Sequence, residues 1–351
     1  MKGKKIAFFD AKPYDNEFFE KANEKFGFEL KFFKAHLTID TISVAKGNDT
    51  VCLFVNDMAT AEIIKTLKDY GIGLIALRSA GYNNIDLKAS YENIHVVRVP
   101  AYSPYAVAEH AVAMMLALNR RTHKAYYRTL DNNFTINGLL GFDMYGKTAG
   151  IIGTGQIGKV LINILKGFGM KILAYDAFPN KDFAKNTGFE YVDLETLYKN
   201  SDIISLHCPL TPETQYLINK ESISRMKDGV MLINTSRGKL INTKALIAGL
   251  KSKKIGYAGL DVYEEESEYF FEDFSSEDIN DDTLARLLTF NNVLITSHQA
   301  FFTREALTNI AETTLQNIED YFNNKELKNE ICYRCGQATS NCSKKETGRC
   351  F

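Results

Sequence analysis

A glycine-rich motif near the middle of the chain constrains the fold more than any other sequence feature. Gly153, Gly155 and Gly158 form a GxGxxG pattern between an apolar segment, Thr148–Ile152, and a segment in which apolar residues recur with helical spacing. Asp176 ends the next apolar segment, eighteen residues after Gly158. This order of strand, glycine turn, helix, strand and acidic residue is typical of a dinucleotide-binding βαβ unit.

Each residue of this motif has a physical task in such a unit. Gly153 allows the tight turn, Gly155 lets the backbone approach a pyrophosphate, and Gly158 permits close packing of the helix on the strand. The helix N-terminus offers unpaired N–H groups to the phosphates. Asp176 can accept hydrogen bonds from the ribose hydroxyls and repels a 2′-phosphate, which favours NAD over NADP. The alternative interpretation is a glycine-rich turn in another α/β fold.

Short apolar runs alternate along the chain with segments of helical spacing, such as Thr60–Tyr70 and Gln156–Phe168. This alternation indicates right-handed βαβ units around parallel sheets, and hence an α/β protein. Since the glycine motif begins so late, a separate unit of about 100 residues precedes the nucleotide-binding one. We predict strands at Lys4–Asp10, Val51–Val55, Leu74–Leu77, His95–Val99, Thr148–Ile152, Ile172–Tyr175, Ile203–Leu206, Val230–Asn234 and Val293–Thr296.

Composition and charge exclude several classes of function. The 351 residues carry a net charge of −1, so the chain has no overall basic field for nucleic acid or an anionic membrane. The longest apolar run, Ala111–Leu118, is well below the roughly 20 residues that span a bilayer. The apolar stretch Ile6–Phe9 is too short for a secretory signal. We therefore expect a soluble, cytoplasmic protein with two domains.

Three polar residues that follow apolar runs are candidates for catalysis. Arg237 comes after Val230–Ile233, Glu266 after Gly259–Glu264, and His298 after the last predicted strand. Arginine can bind a carboxylate through two hydrogen bonds, and a histidine held by a carboxylate can donate a proton to a developing alkoxide. The set suits reduction of a carbonyl group beside a carboxylate. Spacing alone leaves open whether the three side chains meet.

A series of short motifs adds a resemblance that covers residues 4 to about 331. The motifs are Leu77–Asp86, Val97–Pro104, Ala108–His110, Asn119–Arg121, Tyr145–Gly150, Leu206–Pro212, Asn234–Gly238, Asp261–Tyr263 and Ser297–Ala300. They resemble, in the same order, those of the D-isomer-specific 2-hydroxyacid dehydrogenases, and are most similar to the bacterial fermentative branch of that family.

The resemblance implies two Rossmann-like domains, each a doubly wound parallel sheet, with a cleft between them. The substrate domain would comprise residues 1–100 and 299–331, and the NAD-binding domain residues 101–298. The helix Ser103–Leu118 would connect them. The resemblance also implies a homodimer or homotetramer that pairs through the NAD-binding domain.

The activity implied is reduction of pyruvate to D-lactate by hydride transfer from NADH, without a catalytic metal. Arg237 would bind and polarise the 2-oxo acid, and His298 would act as the acid in reduction and the base in oxidation. Glu266 would pair with His298 and keep it protonated. The resemblance assigns the substrate carboxylate and the closing aromatic ring to Arg78, Ser79, Ala80, Gly81 and Tyr102.

The cofactor residues implied by the resemblance extend beyond the glycine motif. Gln156 and Ile157 would lie at the pyrophosphate and Asp176 at the ribose. Cys208 and Pro209 would lie near the adenosine, where packing is a more ordinary role for Cys208 than that of a reactive thiol. The nicotinamide half would lie near Thr214, Thr235 and Asp261, and Ser236 would also bind the cofactor.

Two alternative functions remain open at this point. A bulkier 2-oxo acid, such as 2-oxoisocaproate or phenylpyruvate, would keep the chemistry and change the pocket formed by Val55, Tyr102, Phe301 and Phe302. A non-enzymatic NADH-sensing protein, similar to the corepressors related to this family, could retain the same three polar residues. The absence of long flanking interaction segments argues against the sensor.

The resemblance ends after residue 331, where a cysteine-rich C-terminal tail, residues 332–351, begins. Four of the six cysteines lie there, with the spacing C-x2-C-x6-C-x7-C: Cys332, Cys335, Cys342 and Cys350. Four thiolates can bind zinc, although the middle spacing is shorter than in most structural zinc modules. The alternatives are a reduced tail without a metal and a set of oxidation-sensitive thiols.

Overall fold

The computed structural model describes residues 3–266, 269–334 and 343–351. The chain divides into two compact units, the first Met1–Ser103 with Thr303–Phe351 and the second Pro104–Phe302. The boundaries expected from the sequence, at residues 100 and 298, lie three and four residues away from these divisions. The described residues of the C-terminal tail, 332–334 and 343–351, are part of the first unit.

The first unit begins with a five-stranded parallel sheet in the order β2-β1-β3-β4-β5. Four of its five strands form from short buried runs, because apolar side chains on both faces are covered by helices. The strands are β1 (Lys5–Phe8), β2 (Glu29–Phe32), β3 (Thr50–Leu53), β4 (Leu74–Leu77) and β5 (His95–Val97). The helices are α1 (Pro13–Asn23), α2 (Ala61–Asp69) and α3 (Leu87–Ser90).

The second unit contains a seven-stranded parallel sheet in the order β12-β11-β10-β9-β6-β7-β8. Its first helices are α4 (Pro104–Arg120) and α5 (Thr122–Leu130). The strands are β6 (Thr148–Ile152), β7 (Lys171–Tyr175), β8 (Glu190–Tyr191), β9 (Ile203–Leu206), β10 (Val230–Asn234), β11 (Ile255–Leu260) and β12 (Val293–Ile295). The later helices are α6 (Gln156–Gly167), α7 (Lys181–Thr187), α8 (Leu194–Asn200), α9 (Lys220–Arg225), α10 (Thr243–Lys251) and α11 (Asp282–Leu288).

The chain then returns to the first unit through α12 (Arg304–Phe322), whose buried side chains pack on the unit's own sheet. A short helix, α13 (Lys344–Thr347), lies in the tail. All the strands paired in both sheets run parallel, which confirms the predicted α/β class.

The predicted strands and the observed ones agree wherever an apolar run is buried on both faces. Each of the nine predicted segments contains a strand, and β2, β8 and β11 were not predicted. The run Ala111–Leu118 lies within α4, where most of its side chains are buried in the second unit. None of the described helices combines the length and the apolar character needed to cross a membrane.

Candidate active site

The glycine motif lies where the strand order of the second sheet reverses, between β6 and β9. Ligands of open α/β sheets bind at such a reversal, outside the carboxyl ends of the strands. A Cβ atom on Gly153, whose φ is +96°, would lie 2.5 Å from the backbone of His207 and Cys208. A Cβ on Gly158 would lie 2.1 Å from Gly153 O. These glycines therefore let β6, α6 and the end of β9 approach closely.

The start of α6 is open to an anion. Gly155 is its N-cap, no side chain caps the first turn, and a Cβ on Gly155 would meet nothing within 4 Å. The first N–H groups of the helix, including those of Gln156 and Ile157, have no partner within the helix. Backbone donors beside open space fit a pyrophosphate, as the sequence predicts.

Asp176 lies at the end of β7 and is held by the glycine loop. Its Oδ2 accepts hydrogen bonds from Thr154 N at 2.6 Å and Thr154 Oγ1 at 2.9 Å, and its Oδ1 accepts one from Phe178 N at 2.8 Å. A carboxylate has about four acceptor positions, so this one can still accept a ribose hydroxyl. Its orientation is fixed by the loop that carries the motif.

Cys208 and Pro209, which are predicted to lie near the adenosine, follow β9. Thr214 Oγ1 donates to Pro209 O at 2.7 Å and so closes the turn that follows Cys208. Burial raises the pKa of the Cys208 thiol to about 11, because the charged thiolate is disfavoured there. Cys208 is thus a packing residue with a neutral thiol rather than a nucleophile.

A tight turn after β10 presents Arg237. The buried side chain of Asn234 closes it, since its Nδ2 donates to Arg237 O at 2.9 Å and its Oδ1 accepts from Ser236 N at 3.0 Å. Ser236 Oγ donates to Cys208 O at 2.7 Å, which ties this turn to the end of β9. Thr235 Oγ1 is buried and has no hydrogen-bond partner among the described residues. An orphaned hydroxyl at this edge fits a polar group of a bound dinucleotide.

Asp261, directly after β11, organises the loop that carries the candidate histidine. Its carboxylate is 0% exposed and accepts hydrogen bonds from Thr296 Oγ1 at 2.6 Å, Gln299 N at 2.9 Å and Ala300 N at 2.9 Å. Its carbonyl accepts from His298 N at 2.7 Å. A side chain with these partners positions the histidine loop. A direct contact of Asp261 with the nicotinamide half remains a prediction.

His298 and Glu266 form the pair that the sequence predicts. His298 Nδ1 lies 2.9 Å from Glu266 Oε1, and Tyr263 N donates to Glu266 Oε2 at 3.0 Å. With Nδ1–H donated to the carboxylate, Nε2 is the ring nitrogen that can exchange a proton with a ligand. His298 has a φ of +51°, so the backbone turns sharply there to present the ring.

The Arg237 turn packs against the chain that leads to Glu266. A Cβ on Gly238 would lie 2.0 Å from Tyr263 O, so only glycine fits there. The side chain of Arg237 is half-buried, and its Nη1 donates to Ser236 O at 2.7 Å. The structure thus brings the Arg237 turn and the His298–Glu266 pair to the same edge of one sheet.

Arg78, predicted at the substrate, is buried in the first unit. It is 2% exposed, and Nη2 donates to Phe9 O at 2.9 Å and to Asp10 O at 2.7 Å, while Nε lies 3.3 Å from Asp15 Oδ1. Burial disfavours its charge most strongly, but the surrounding acidic groups, Asp15 first among them with Asp57 and Asp10, together outweigh burial and raise the pKa of Arg78. These contacts are structural, and a contact between Arg78 and substrate remains a prediction.

The neighbouring loop, Ser79 to Gly81, is held by its own unit. Ser79 Oγ donates to Gly81 O at 2.8 Å, and Arg98 Nη1 donates to Ala80 O at 2.6 Å. The predicted closing aromatic, Tyr102, is half-buried. The role of these residues at a substrate carboxylate remains a prediction.

Two contributors to the site were missed from the sequence. Thr296 bridges Asp261 and His110, whose Nε2 lies 3.1 Å from Thr296 Oγ1. A polar residue after an apolar run was the available signal for Thr296, as it was for Arg237. Nothing in the spacing indicates that His110, early in α4, reaches the end of β12.

The tail cysteines are separate from this site in sequence. Cys332 and Cys350 are buried in the first unit. Cys335 and Cys342 lie outside the described residues.

Comparison with known proteins identifies the family. Residues 112–300 match the model of the NAD-binding domain of the D-isomer-specific 2-hydroxyacid dehydrogenases. The chain is 53% identical to the D-lactate dehydrogenase of Escherichia coli over 328 residues, which cover 93% of this chain and 99% of that relative. This chain is therefore longer by about the length of the C-terminal tail.

Solved structures of related enzymes share the fold. The ligand-free structure of the E. coli D-lactate dehydrogenase has a TM-score of 0.86 at 51% identity. A D-2-hydroxyisocaproate dehydrogenase has a TM-score of 0.82 at 32% identity, and a Lactobacillus jensenii D-lactate dehydrogenase with NAD⁺ has 0.78 at 34%. Each comparison covers 93% of this chain and 99% of the other. The chain therefore belongs to the D-isomer-specific 2-hydroxyacid dehydrogenases, the NAD-dependent family that the motifs predict.

Proposed function

We propose that the protein is a D-lactate dehydrogenase that reduces pyruvate to D-lactate with NADH. The observation that carries this proposal is the 2.9 Å contact between His298 Nδ1 and Glu266 Oε1 at the edge of the sheet that holds the glycine motif. The similarity to the E. coli D-lactate dehydrogenase supports pyruvate as the substrate.

His298 supplies the proton in this mechanism. Protonated His298 donates from Nε2 to the oxygen of the 2-oxo acid as that oxygen becomes an alkoxide. Glu266 accepts from Nδ1–H before and after the transfer, so it fixes the tautomer and stabilises the imidazolium. In the reverse direction neutral Nε2 accepts the hydroxyl proton of the 2-hydroxy acid.

Arg237 and the glycine motif orient the reactants. The guanidinium of Arg237 binds the 2-oxo acid by two-pronged hydrogen bonding and polarises its carbonyl group. The open N-terminus of α6, Asp176 and the Thr235 hydroxyl would hold NAD(H). When bound, NADH supplies the hydride that reduces the carbonyl carbon.

The choice of substrate is tested by NADH oxidation with the purified chain across a panel of 2-oxo acids. Pyruvate is expected to give the highest kcat/KM. A preference for 2-oxoisocaproate or phenylpyruvate would assign the enzyme to a bulkier substrate instead. The comparison of pyruvate with 2-oxoisocaproate is informative because the structure is also similar to that of a D-2-hydroxyisocaproate dehydrogenase.

The pocket residues suggested for a bulkier substrate differ in exposure. Phe301 is buried, Phe302 is 50% exposed, and their ring centroids lie 6.0 Å apart in an edge-on arrangement. Phe302→Ala, which removes the more exposed ring, is therefore the variant to compare with the wild type across the panel of 2-oxo acids. If Phe302 limits the substrate, this variant raises kcat/KM for phenylpyruvate relative to pyruvate.

We also propose that copies of the chain associate through the second unit. The segment 126–145 exposes an unusual set of large apolar side chains, with Leu140 86% and Ile136 82% exposed. Large exposed apolar side chains concentrated in one segment support an interface there. The other exposed members are Tyr126, Tyr127, Leu130, Phe134 and Tyr145.

Light scattering after size-exclusion chromatography tests this association. The wild-type chain is expected to elute as a dimer or tetramer, and the double variant Ile136→Asp/Leu140→Asp as a smaller species. Ile39→Asp, at an exposed position of the first unit, is the matched control and keeps the wild-type mass. A monomeric wild type contradicts the proposal.

We also propose that the protein is located in the cytoplasm. Cys52 and Cys208 are buried free thiols, a state typical of proteins in reducing compartments. Cell fractionation tests this location, and recovery of the protein in a secreted fraction would contradict it.

A further inference from the structure

A cationic cavity lies on the second unit at the amino ends of its parallel strands. Gly229 directly precedes β10, Ile255 begins β11 and Asn292 directly precedes β12, and all three residues line the cavity. The glycine motif and the His298–Glu266 pair instead follow the carboxyl ends of strands. The cavity is therefore distinct from the candidate active site.

Four cationic residues line this cavity, and none of its described lining residues is acidic. The four are Arg121, Lys251, Lys253 and Arg286. None of them forms an ion pair with a carboxylate among the described residues. Four positive charges around one space, without a counter-charge from the described protein, attract an anion.

Other lysines close to the cavity in sequence are paired with carboxylates. Lys254 Nζ lies 2.8 Å from Asp228 Oδ1, and Lys227 Nζ lies 3.0 Å from Asp202 Oδ1. Lys254 directly follows a cavity lysine, yet its charge is compensated and that of Lys253 is not. The lack of acidic partners is thus a property of the cavity and not of the whole face.

Like charges also crowd the helix beside the cavity. Lys124 Nζ, in α5, donates to Oδ1 of the lining residue Asn291 at 3.1 Å. Burial and the guanidinium groups of Arg121 and Arg128 lower the pKa of Lys124. The positive potential therefore extends from the cavity to α5, and a bound anion would relieve the repulsion between these groups.

Protein groups hold the two arginines of the cavity. Arg121 Nη1 donates to Gly138 O at 2.8 Å, and its guanidinium carbon lies 5.9 Å from the ring centroid of Tyr257. The guanidinium carbon of Arg286 lies 4.7 Å from the ring centroid of Phe290. Arg121 Nε is buried and has no hydrogen-bond partner among the described residues. Arginines that are already held lose less freedom when they bind an anion.

We propose that this cavity binds a small polyanion, a molecule with two or three phosphate or carboxylate groups. The cavity volume of about 690 Å³ lies in the range of small-molecule sites. Arginine binds either group through two parallel hydrogen bonds, and lysine adds a point charge. A diphosphate and a tricarboxylate share this chemistry, whereas a monovalent anion leaves most of the cavity charge uncompensated.

Isothermal titration calorimetry of the full-length protein tests the site. The probes are pyrophosphate and tricarballylate at constant ionic strength, with saturating NADH so that the dinucleotide site is occupied. At least one of the two is expected to bind at about one molecule per chain with a Kd below about 1 mM. Acetate, the monovalent control, is expected to show no binding at the same concentrations.

A pair of double variants locates the binding. Lys251→Gln/Arg286→Gln removes two exposed cations of the cavity and is expected to raise the Kd by about tenfold or more. Lys199→Gln/Arg225→Gln removes the same two residue types from exposed positions in α8 and α9 and is expected to keep the wild-type Kd.

Melting temperatures separate binding from a structural role. Because like charges repel, the cavity variant without anion should melt at or above the wild-type temperature. Anion at about 100 times its Kd should raise the melting temperature of the wild type by about 3 °C or more. Lys253→Asn is a second variant in case the first fails to fold, since asparagine tolerates the φ of +62° there.

Three outcomes would overturn the proposal. They are no binding of either polyanion, an equal rise in Kd in the two double variants, and binding of acetate as tight as that of the polyanion. None of these outcomes depends on pyruvate turnover, so the result is independent of the proposed dehydrogenase activity.

Discussion

The loops after the strands of the two units differ in what their charged side chains contact. Arg78, after β4 of the first unit, is buried and paired with Asp15. Arg237 and His298, after β10 and β12 of the second, are half-buried, and His298 keeps Nε2 available beyond its contact with Glu266. The same sequence pattern, a charged residue after an apolar strand, therefore gives a structural ion pair in one unit and, in the other, half-buried groups that we propose to take part in the reaction. The burial of the charged side chain and the partner that it contacts decide between these two outcomes.

The largest effect is expected from breaking the buried pair. Arg78→Met leaves the Asp15 carboxylate buried without its cation, which is expected to lower the free energy of unfolding by up to about 5 kcal/mol. Urea denaturation measures this. The double variant Arg78→Met/Asp15→Leu should recover part of the loss. A stable Arg78→Met protein with a raised KM for pyruvate would make Arg78 a substrate ligand instead.

For His298, in the second unit, we expect the opposite result: a loss of activity with little change in stability. His298→Asn removes the proton donor, and asparagine tolerates the positive φ of this position. We expect kcat/KM for pyruvate to fall by about 10³-fold, near 4 kcal/mol. The free energy of unfolding should change by less than about 0.5 kcal/mol. Activity within tenfold of wild type, by steady-state NADH oxidation, would remove His298 from the mechanism.

A smaller effect is expected where a buried acid positions the reactive group. Asp261→Asn replaces one acceptor oxygen by a donor that faces Thr296, Gln299 or Ala300. The His298 loop should shift, and kcat should fall by about 10- to 100-fold with an unchanged KM for NADH. A large increase in the KM for NADH would instead support the predicted place of Asp261 at the cofactor.

The smallest effect concerns a second histidine after a strand. Burial lowers the pKa of His207, after β9, to about 4, against about 6.5 in an unfolded chain. Between these values the unfolded chain binds more protons, so this residue makes the free energy of unfolding rise as pH increases from about 4 to 6.5. His207→Gln should reduce that slope in urea denaturation without cofactor. An unchanged slope would mean that His207 titrates alike in both states.

The sequence predicts strands well where apolar residues are covered on both faces. β2 and β8 were not predicted because both are edge strands with few apolar residues. β2 contains Glu29 and Lys31, and β8 contains Glu190. β11 was not predicted because its two glycines, at 256 and 259, interrupt the apolar run. Gly259 is required there, since a Cβ would lie 2.7 Å from the side chain of Ile233.

The candidate site was predicted residue by residue but not as a network. A polar residue after an apolar run was visible for Arg237, Glu266 and His298. The contact between Asp261 and Thr296 joins residues 35 positions apart, and pairing in the sheet, not spacing, creates it. The buried ion pair of Arg78 likewise depends on α1 and could not be inferred from the residues around it.

The central claim is that His298, paired with Glu266, delivers a proton while pyruvate is reduced to one enantiomer. Chiral chromatography of the product formed from pyruvate and NADH by the wild-type protein tests it most directly. We predict D-lactate in an amount equal to the NADH consumed, and none from His298→Asn over the same time. L-lactate, a racemic product, or NADH binding without any lactate would contradict the account.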